Sequence, residues 1–406
     1  MKNFTWKESK VTHMHIELSN FCNAACPFCP RYVDSTARVR PELQLNSITL
    51  EQFKKWFPLN FMKSVERILF CGTHGDPLMA KDVIEIIDYI QTSSPKCTIQ
   101  VNTNGGMRSP EFFRALGKKL VEHGTNHKVV FSIDGLKDTN HLYRRNVKWE
   151  KLIENAIAFN STGARGLWEY LIFEHNEHQL EEAKQLSEEL GFYDIKFKKA
   201  LGFDPNKSGQ LKARGVYDKN GDLEYIISPP SDQSMINSSC VPNSVDKNVK
   251  TSKDITYLKD FKPGVNPIVE SKVANFDEAK IPHWNTYIKQ FENSAINCKS
   301  CVKSKSSEIY VSCDGIVFPC CFIGTRVDSA IDLYEDTQLR HHIKQFGKDK
   351  FDLKKTSIKK IIKRGYLDSV YTDSWDKESY TNGKLSYCAM TCGNNSEIDR
   401  IYDRDD

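Results

Sequence analysis

Three cysteines stand close together near the start of the chain: Cys22, Cys26 and Cys29, in the run Asn20-Phe-Cys-Asn-Ala-Ala-Cys-Pro-Phe-Cys-Pro-Arg31. The spacing, C-x3-C-x2-C, puts three thiolates within reach of three irons of one [4Fe-4S] cube. The fourth iron then has no protein ligand nearby. An iron with an open position can bind a substrate or cofactor directly, which a fully ligated electron-transfer cluster cannot. The competing chemistry is a zinc knuckle. Zinc sites usually pair two C-x2-C units with a fourth ligand, and no Cys or His follows just downstream.

Thirteen cysteines in 406 residues, an odd number in clustered spacings, point to metal ligation rather than a disulfide framework. A second group comprises Cys298 and Cys301, then Cys313, Cys320 and Cys321, then Cys388 and Cys392. The middle part reads as a hairpin turning at Asp314-Gly315, able to present thiolates at both strand ends. The first residues, Met1-Lys-Asn-Phe-Thr-Trp-Lys7, have no apolar signal-peptide core, so a cytoplasmic location is expected. No run of eighteen apolar residues occurs, so no membrane span is expected. The net charge of +4 does not by itself imply a nucleic-acid partner, and none is expected.

The elements that must position these residues repeat roughly every thirty residues across the first half: a short apolar run, a turn, an amphipathic helix. Strands are expected at 13–18, 65–71, 97–102, 128–133, 167–174 and 194–199. Thr49-Leu-Glu-Gln52 reads as a capping box. Val83, Ile86, Ile87 and Ile90 fall at helical spacing, as do Leu152, Ile153, Ala156, Ile157 and Phe159. Ser109-Pro110 opens another helix, and Gly191 closes the last, 177–190. Six β/α units imply a parallel sheet with right-handed crossovers, open rather than closed into eight. The cysteines follow the first strand.

With that placement, the segment closely resembles the radical S-adenosylmethionine enzymes. The resemblance implies a (β/α)6 partial TIM barrel over residues 1–200, an α/β fold whose cluster loop follows strand one. Chemistry in parallel sheets sits at the C-terminal ends of strands. Strand two ends His74-Gly75-Asp76-Pro77, where the family usually has Gly-Gly-Glu-Pro, and the resemblance makes Gly75 and Asp76 contacts for the methionine amino group. Asp is one methylene shorter than Glu, and His replaces a glycine. The resemblance also makes Asn102, Ser132 and Arg144 contacts for the ribose and the methionine carboxylate, with Arg145 an alternative to Arg144. Asn104 and Asp134 either join them or cap their loops before glycine. Phe28 matches an aromatic position that packs on adenine.

Strand parity adds a reading of its own. Gln100 and Asn102 share a face opposite Ile99 and Val101; Ser132 and Asp134 share one; so do His13, His15 and Glu17. The helices need the apolar faces, so the polar faces should line the barrel and suit a hydrophilic substrate. His13 and His15 also read as a structural pair near the barrel floor.

Residues 201–294 read as an irregular linker or substrate-contacting insert, with one hairpin over 216–225 whose Asn-Gly suits a type I′ turn and an isolated Cys240. Residues 295–406 resemble the auxiliary-cluster domains called SPASM and twitch, a small α+β unit. That resemblance implies one auxiliary [4Fe-4S] cluster on Cys301, Cys320, Cys388 and Cys392, with Cys298 and Cys321 as substitutes; a zinc ribbon on Cys298, Cys301, Cys388 and Cys392 is the alternative. A basic stretch, 344–364, contains Ile358, Ile361 and Ile362 at helical spacing; its charged side is a solvated face or a dock for an acidic peptide or phosphate.

The activity so implied is reductive cleavage of S-adenosylmethionine to a 5′-deoxyadenosyl radical, which takes a hydrogen from a polar substrate. That substrate is a small metabolite or a peptide, and the external one-electron reductant is of the flavodoxin or ferredoxin kind. A ribosomal-peptide or protein maturase is the alternative within the superfamily. A non-catalytic iron-sulfur or zinc-binding adaptor is the alternative outside it.

Overall fold

The structure is a computed structural model that describes residues 6–7, 10–33, 35–41, 43–124, 126–200, 202–203, 211–231, 289, 291–296, 302–303, 306–328 and 347–393. Six strands lie side by side in chain order and parallel: β1 (Lys10–Ile16), β2 (Arg67–Phe70), β3 (Thr98–Thr103), β4 (Lys128–Ser132), β5 (Arg165–Ile172) and β6 (Asp194–Lys199). They alternate as the sequence implies. Along β3, Ile99, Val101 and Thr103 are buried, while Thr98, Gln100 and Asn102 are half-buried on the other face.

The helices between them start where local chemistry places them. Thr49 accepts from the Gln52 N–H and the Gln52 side chain accepts from the Thr49 N–H, the expected capping box of Leu50–Trp56. Ser109 caps Pro110–Glu122. Val83–Ser93 buries Val83, Ile86, Ile87 and Ile90. Trp149–Asn160 buries Leu152, Ala156 and Phe159. Leu180–Glu189 is followed by Gly191 at φ +72°, a left-handed position that suits glycine. Among the described residues, no helix is long and apolar enough to cross a membrane.

The sheet differs from the six-strand expectation at its β1 edge. A seventh parallel strand, β10 (Ser306–Val311), pairs with β1 from Lys10↔Ser306 to Ile16↔Val311. Two short antiparallel strands, β9 (Val302–Lys303) and β11 (Val317–Phe318), flank β10, and β11 follows it through the turn at Asp314-Gly315. An open sheet leaves β1 with unpaired N–H and C=O groups, and β10 satisfies them. The N-terminus is tied to the same late segment. The buried Trp6 donates its indole N–H to the Glu308 carbonyl (3.2 Å) and its backbone N–H to Asp368 (2.6 Å). One hydrophobic core therefore runs from Trp6 through the barrel to Leu385 and Cys388.

Between β6 and β9, β7 (Arg214–Tyr217) and β8 (Leu223–Ile227) form the expected hairpin, but not with a type I′ turn. Such a turn needs positive φ at Asn220 as well as Gly221, and only Gly221 has it (+97°). The Asp218 carboxylate accepts the N–H groups of Asn220, Gly221 and Asp222, which holds the chain in the other geometry. Cys240 lies outside the described residues. Ile358–Lys363 is a short helix with Ile358, Ile361 and Ile362 buried, as its spacing implies.

Candidate functional site

The three cysteines sit in the loop after β1, at the C-terminal edge of the sheet. The Cys29 N–H donates to the Cys26 carbonyl (3.0 Å), and the Ala25 N–H to the Arg145 carbonyl (2.9 Å). The buried Arg31 guanidinium closes the loop by donating to the carbonyls of Asn20 and His74. Each sulfur meets a polar group of another loop. The Asn104 side-chain N–H donates to Cys22 Sγ (3.5 Å), and Arg144 Nη1 to Cys26 Sγ (3.5 Å). The Cys29 thiol faces the Thr73 carbonyl at 3.9 Å. Burial raises all three thiol pKa values: Cys22 also through Asp76 and its two neighbours, Cys26 against the opposing Arg144, and Cys29, to about 12, also through Cys26. Thiols so placed become thiolates readily only against a bound cation, and N–H groups aimed at their sulfurs suit thiolate acceptors. This donor set fits an iron-sulfur cluster. Among the described residues, no three His, Cys, Asp or Glu side chains are arranged to hold a single metal ion. The ligands of a cube stand at separate corners, further apart than those around one ion.

The turn after β2 packs backbone against backbone on this loop. A Cβ at Gly75 would lie 2.3 Å from the Ser19 carbonyl oxygen, and one at Gly72 would lie 2.0 Å from the Gly75 oxygen. Only glycine fits either place. The Asp76 carboxylate is engaged by the protein itself: it accepts from Thr103 Oγ1 (2.8 and 3.0 Å), the Asn104 N–H (2.8 Å) and the Leu78 N–H (3.0 Å). It fastens the β2 and β3 loops together. Burial pushes its pKa up against those donors.

The remaining strand-end residues divide. Asn104 caps its own loop, accepting from the Gly106 N–H (2.8 Å), and also reaches Cys22. Asp134 is buried between Arg144 Nε (2.5 Å) and the Leu171 N–H (2.7 Å), so it braces its loop. The adjacent arginines separate cleanly. Arg144 turns toward Asp134 and Cys26, whereas Arg145 turns outward to Glu224 and the Tyr217 carbonyl on the β7–β8 hairpin. Asn102 accepts from Gln100 (2.8 Å) on the inner face. Ser132 is half-buried at the end of β4, in register with Glu169, which pairs with Lys198 (2.6 Å). Phe28 sits among Tyr143, Phe173 and Phe203, with the Arg214 guanidinium 4.7 Å from its ring centre. His15 Nε2 donates to the Cys71 carbonyl (2.7 Å), at the C-terminal end of β2.

By strand parity Glu17 belongs to a polar face, and nothing in the local sequence gives it a partner. In the structure its buried carboxylate accepts from the His74 N–H (2.6 Å) and from Tyr310 Oη of β10 (3.0 Å), with His74 Nδ1 at 3.9 Å. This fastens the late strand to the turn beside the cysteine loop. The sequence signal was His74 standing where the family usually has glycine.

The second cysteine group also converges. Cys320, at the end of the β10–β11 hairpin, and Cys388 and Cys392, on the helix Ser386–Cys392, line one pocket with Pro319, Phe322, Ile323 and Tyr371. Cys321 is not among its lining residues. Cys298 and Cys301 lie outside the described residues.

A family model for the Radical SAM superfamily matches residues 16–186. Two curated relatives are GTP 3′,8-cyclases. That of Desulforamulus reducens is 24% identical over 193 residues, 44% of this chain and 53% of the relative. That of Syntrophomonas wolfei is 27% identical over 135 residues, 32% of this chain and 36% of the relative. The chain thus spans about half or less of the length of the curated relatives it matches. A solved structure, native anSMEcpe with bound AdoMet, aligns over 96% of this chain and 94% of its own at 14% identity, with a TM-score of 0.48. The loop-borne cysteines and strands β2–β5 of the parallel sheet that positions them lie within residues 16–186, the segment that matches the Radical SAM superfamily model.

Proposed function

We propose that the chain binds a [4Fe-4S] cluster on Cys22, Cys26 and Cys29 and cleaves S-adenosylmethionine there, using the resulting 5′-deoxyadenosyl radical to take a hydrogen from a polar substrate. The observation that carries this is the convergence of three thiols, Cys26 buried and Cys22 and Cys29 half-buried, at the C-terminal edge of a parallel sheet, with Asn104 and Arg144 donating to two of the sulfurs. A cluster held by Cys22, Cys26 and Cys29 would supply the electron. The protein's own residues hold and shield the reactants. Arg144 adds positive charge beside Cys26. Gly75 lets the β2 turn approach the loop backbone. Asn102 and Ser132 offer polar contacts for the nucleoside, and Phe28 an apolar one. Asp76 acts by fixing the β2 and β3 loops, since its carboxylate already accepts from three protein donors, the Thr103 hydroxyl and the Asn104 and Leu78 N–H groups.

Cys320, Cys388 and Cys392, with Cys301 from outside the described residues, would hold a second [4Fe-4S] cluster, which would supply one-electron exchange with the substrate radical. The polar inner face, including Gln100, Asn102 and the Glu169–Lys198 pair, suits a hydrophilic small molecule or peptide. The setting is cytoplasmic, with a flavodoxin- or ferredoxin-type reductant.

Anaerobic reconstitution tests the reading. The native chain should hold about eight irons, two cubes. With Cys22, Cys26 and Cys29 all changed to Ala it should hold about four and no longer cleave S-adenosylmethionine. Cleavage by the triple variant would refute the proposal.

A further inference from the structure

One wall of the Cys320–Cys388–Cys392 pocket is polar in a way that its thiols do not explain. Tyr371 and Trp375 both line the pocket. They are four residues apart on a continuous helical run, hence on one face. Tyr371 Oη and Trp375 Nε1 are buried with no hydrogen-bond partner among the described residues, and Tyr371 is only 1% exposed. A buried donor left unmade costs about 1–3 kcal/mol, and native proteins keep few of them. Here two stand on the same wall. The run also contains one π turn, Asp368–Thr372, a distortion often found at functional sites.

A phenol is neutral at ordinary pH and an indole N–H only donates. Elsewhere the pocket is lined by Pro319, Phe322 and Ile323, which offer a water molecule no side-chain partners, and by Tyr387 and Thr391. The missing counterpart is therefore an acceptor held inside the pocket, and the three thiols specify its chemistry: an anionic, sulfur-bearing group. Resting on the auxiliary-cluster reading above, we propose that Tyr371 and Trp375 donate hydrogen bonds to the sulfurs of the cluster held by Cys320, Cys388 and Cys392, and so set its reduction potential. Reduction adds negative charge to the cluster. Donors at its sulfurs favour the reduced form and raise the potential.

The test uses the full chain carrying Cys22→Ala, Cys26→Ala and Cys29→Ala, reconstituted with iron and sulfide, so that only the second site is loaded. Tyr371→Phe and Trp375→Phe keep ring packing and remove one donor each. Potentiometric titration followed by electron paramagnetic resonance should show a lower midpoint potential in each variant and a lower one still in the double variant, with iron and sulfide content unchanged. An unchanged potential at full iron content overturns the donor role. Loss of iron in both single variants overturns it as well, because the pair is then scaffold. If the starting chain takes up no iron and sulfide, or one zinc instead, the auxiliary-cluster reading itself falls, an outcome distinct from the other two.

Discussion

The two thiol groups are built on opposite plans. Cys22, Cys26 and Cys29 come from one short loop whose turns are closed by its own backbone, and charged or amide side chains reach its sulfurs. Cys320, Cys388 and Cys392 come from a hairpin and a distant helix, brought together among aromatic and aliphatic side chains with neutral donors on one wall. The first site is local in sequence but borrows its polar partners from the β3 and β4 loops. The second exists only once the late segment has packed against β10 and the N-terminal Trp6. A site facing a polar lumen suits an exchanging cofactor, and a closed apolar pocket suits a permanent one.

The largest expected separation comes from Cys388→Ala. It should remove the second cluster and leave S-adenosylmethionine cleavage in place, uncoupled from product. Iron analysis with a cleavage assay checks this, and loss of both activities together would show the two sites to be one cooperative unit. Gly75→Ala should have the reverse selectivity. Its Cβ would meet backbone at 2.3 Å, so the β2 turn must move off the cysteine loop, at about 3 kcal/mol. The first cluster should be lost and the second kept, as read by iron content in the purified variant. Asn102→Ala should leave both clusters and weaken S-adenosylmethionine binding about tenfold, the worth of one neutral hydrogen bond. Calorimetry showing unchanged affinity would move the nucleoside contact elsewhere.

A further effect concerns neither thiol group. His175 stacks on Phe173 at 5.2 Å, and burial, with His141 and His178 nearby, lowers its pKa to about 4. The unfolded chain takes up this proton below about 6.5, whereas the fold keeps the imidazole neutral. Stability should therefore fall as pH drops from about 6.5 to about 4, by roughly 1 kcal/mol per pH unit from this group. His175→Gln should flatten that part of the profile in chemical denaturation at several pH values. An identical slope would mean that other groups govern the acid loss in both regions.

The sequence was legible wherever short-range chemistry decides structure. Alternating apolar residues marked β3 and β6; Thr49 with Gln52, and Ser109 with Pro110, marked helix starts; the spacing of Cys22, Cys26 and Cys29 marked a thiol-rich loop after β1. Each depends on neighbours a few residues away, so a single chain carries the whole signal. Only the tertiary structure decided the rest. The seventh parallel strand required β10 to return across the chain to the open edge of β1. Arg144 and Arg145 are indistinguishable as adjacent letters, and their directions follow from Asp134 and Glu224 on different elements. Asp76 reads in sequence as a ligand contact, and only the structure adds that Thr103 and Asn104 donate to it and tie the β2 and β3 loops together. That Cys320 and not Cys321 lines the pocket with Cys388 and Cys392, with Tyr371 and Trp375 beside them, depends on how the last helices pack against the hairpin. These are contacts between residues far apart in sequence, and no local pattern encodes which of them form.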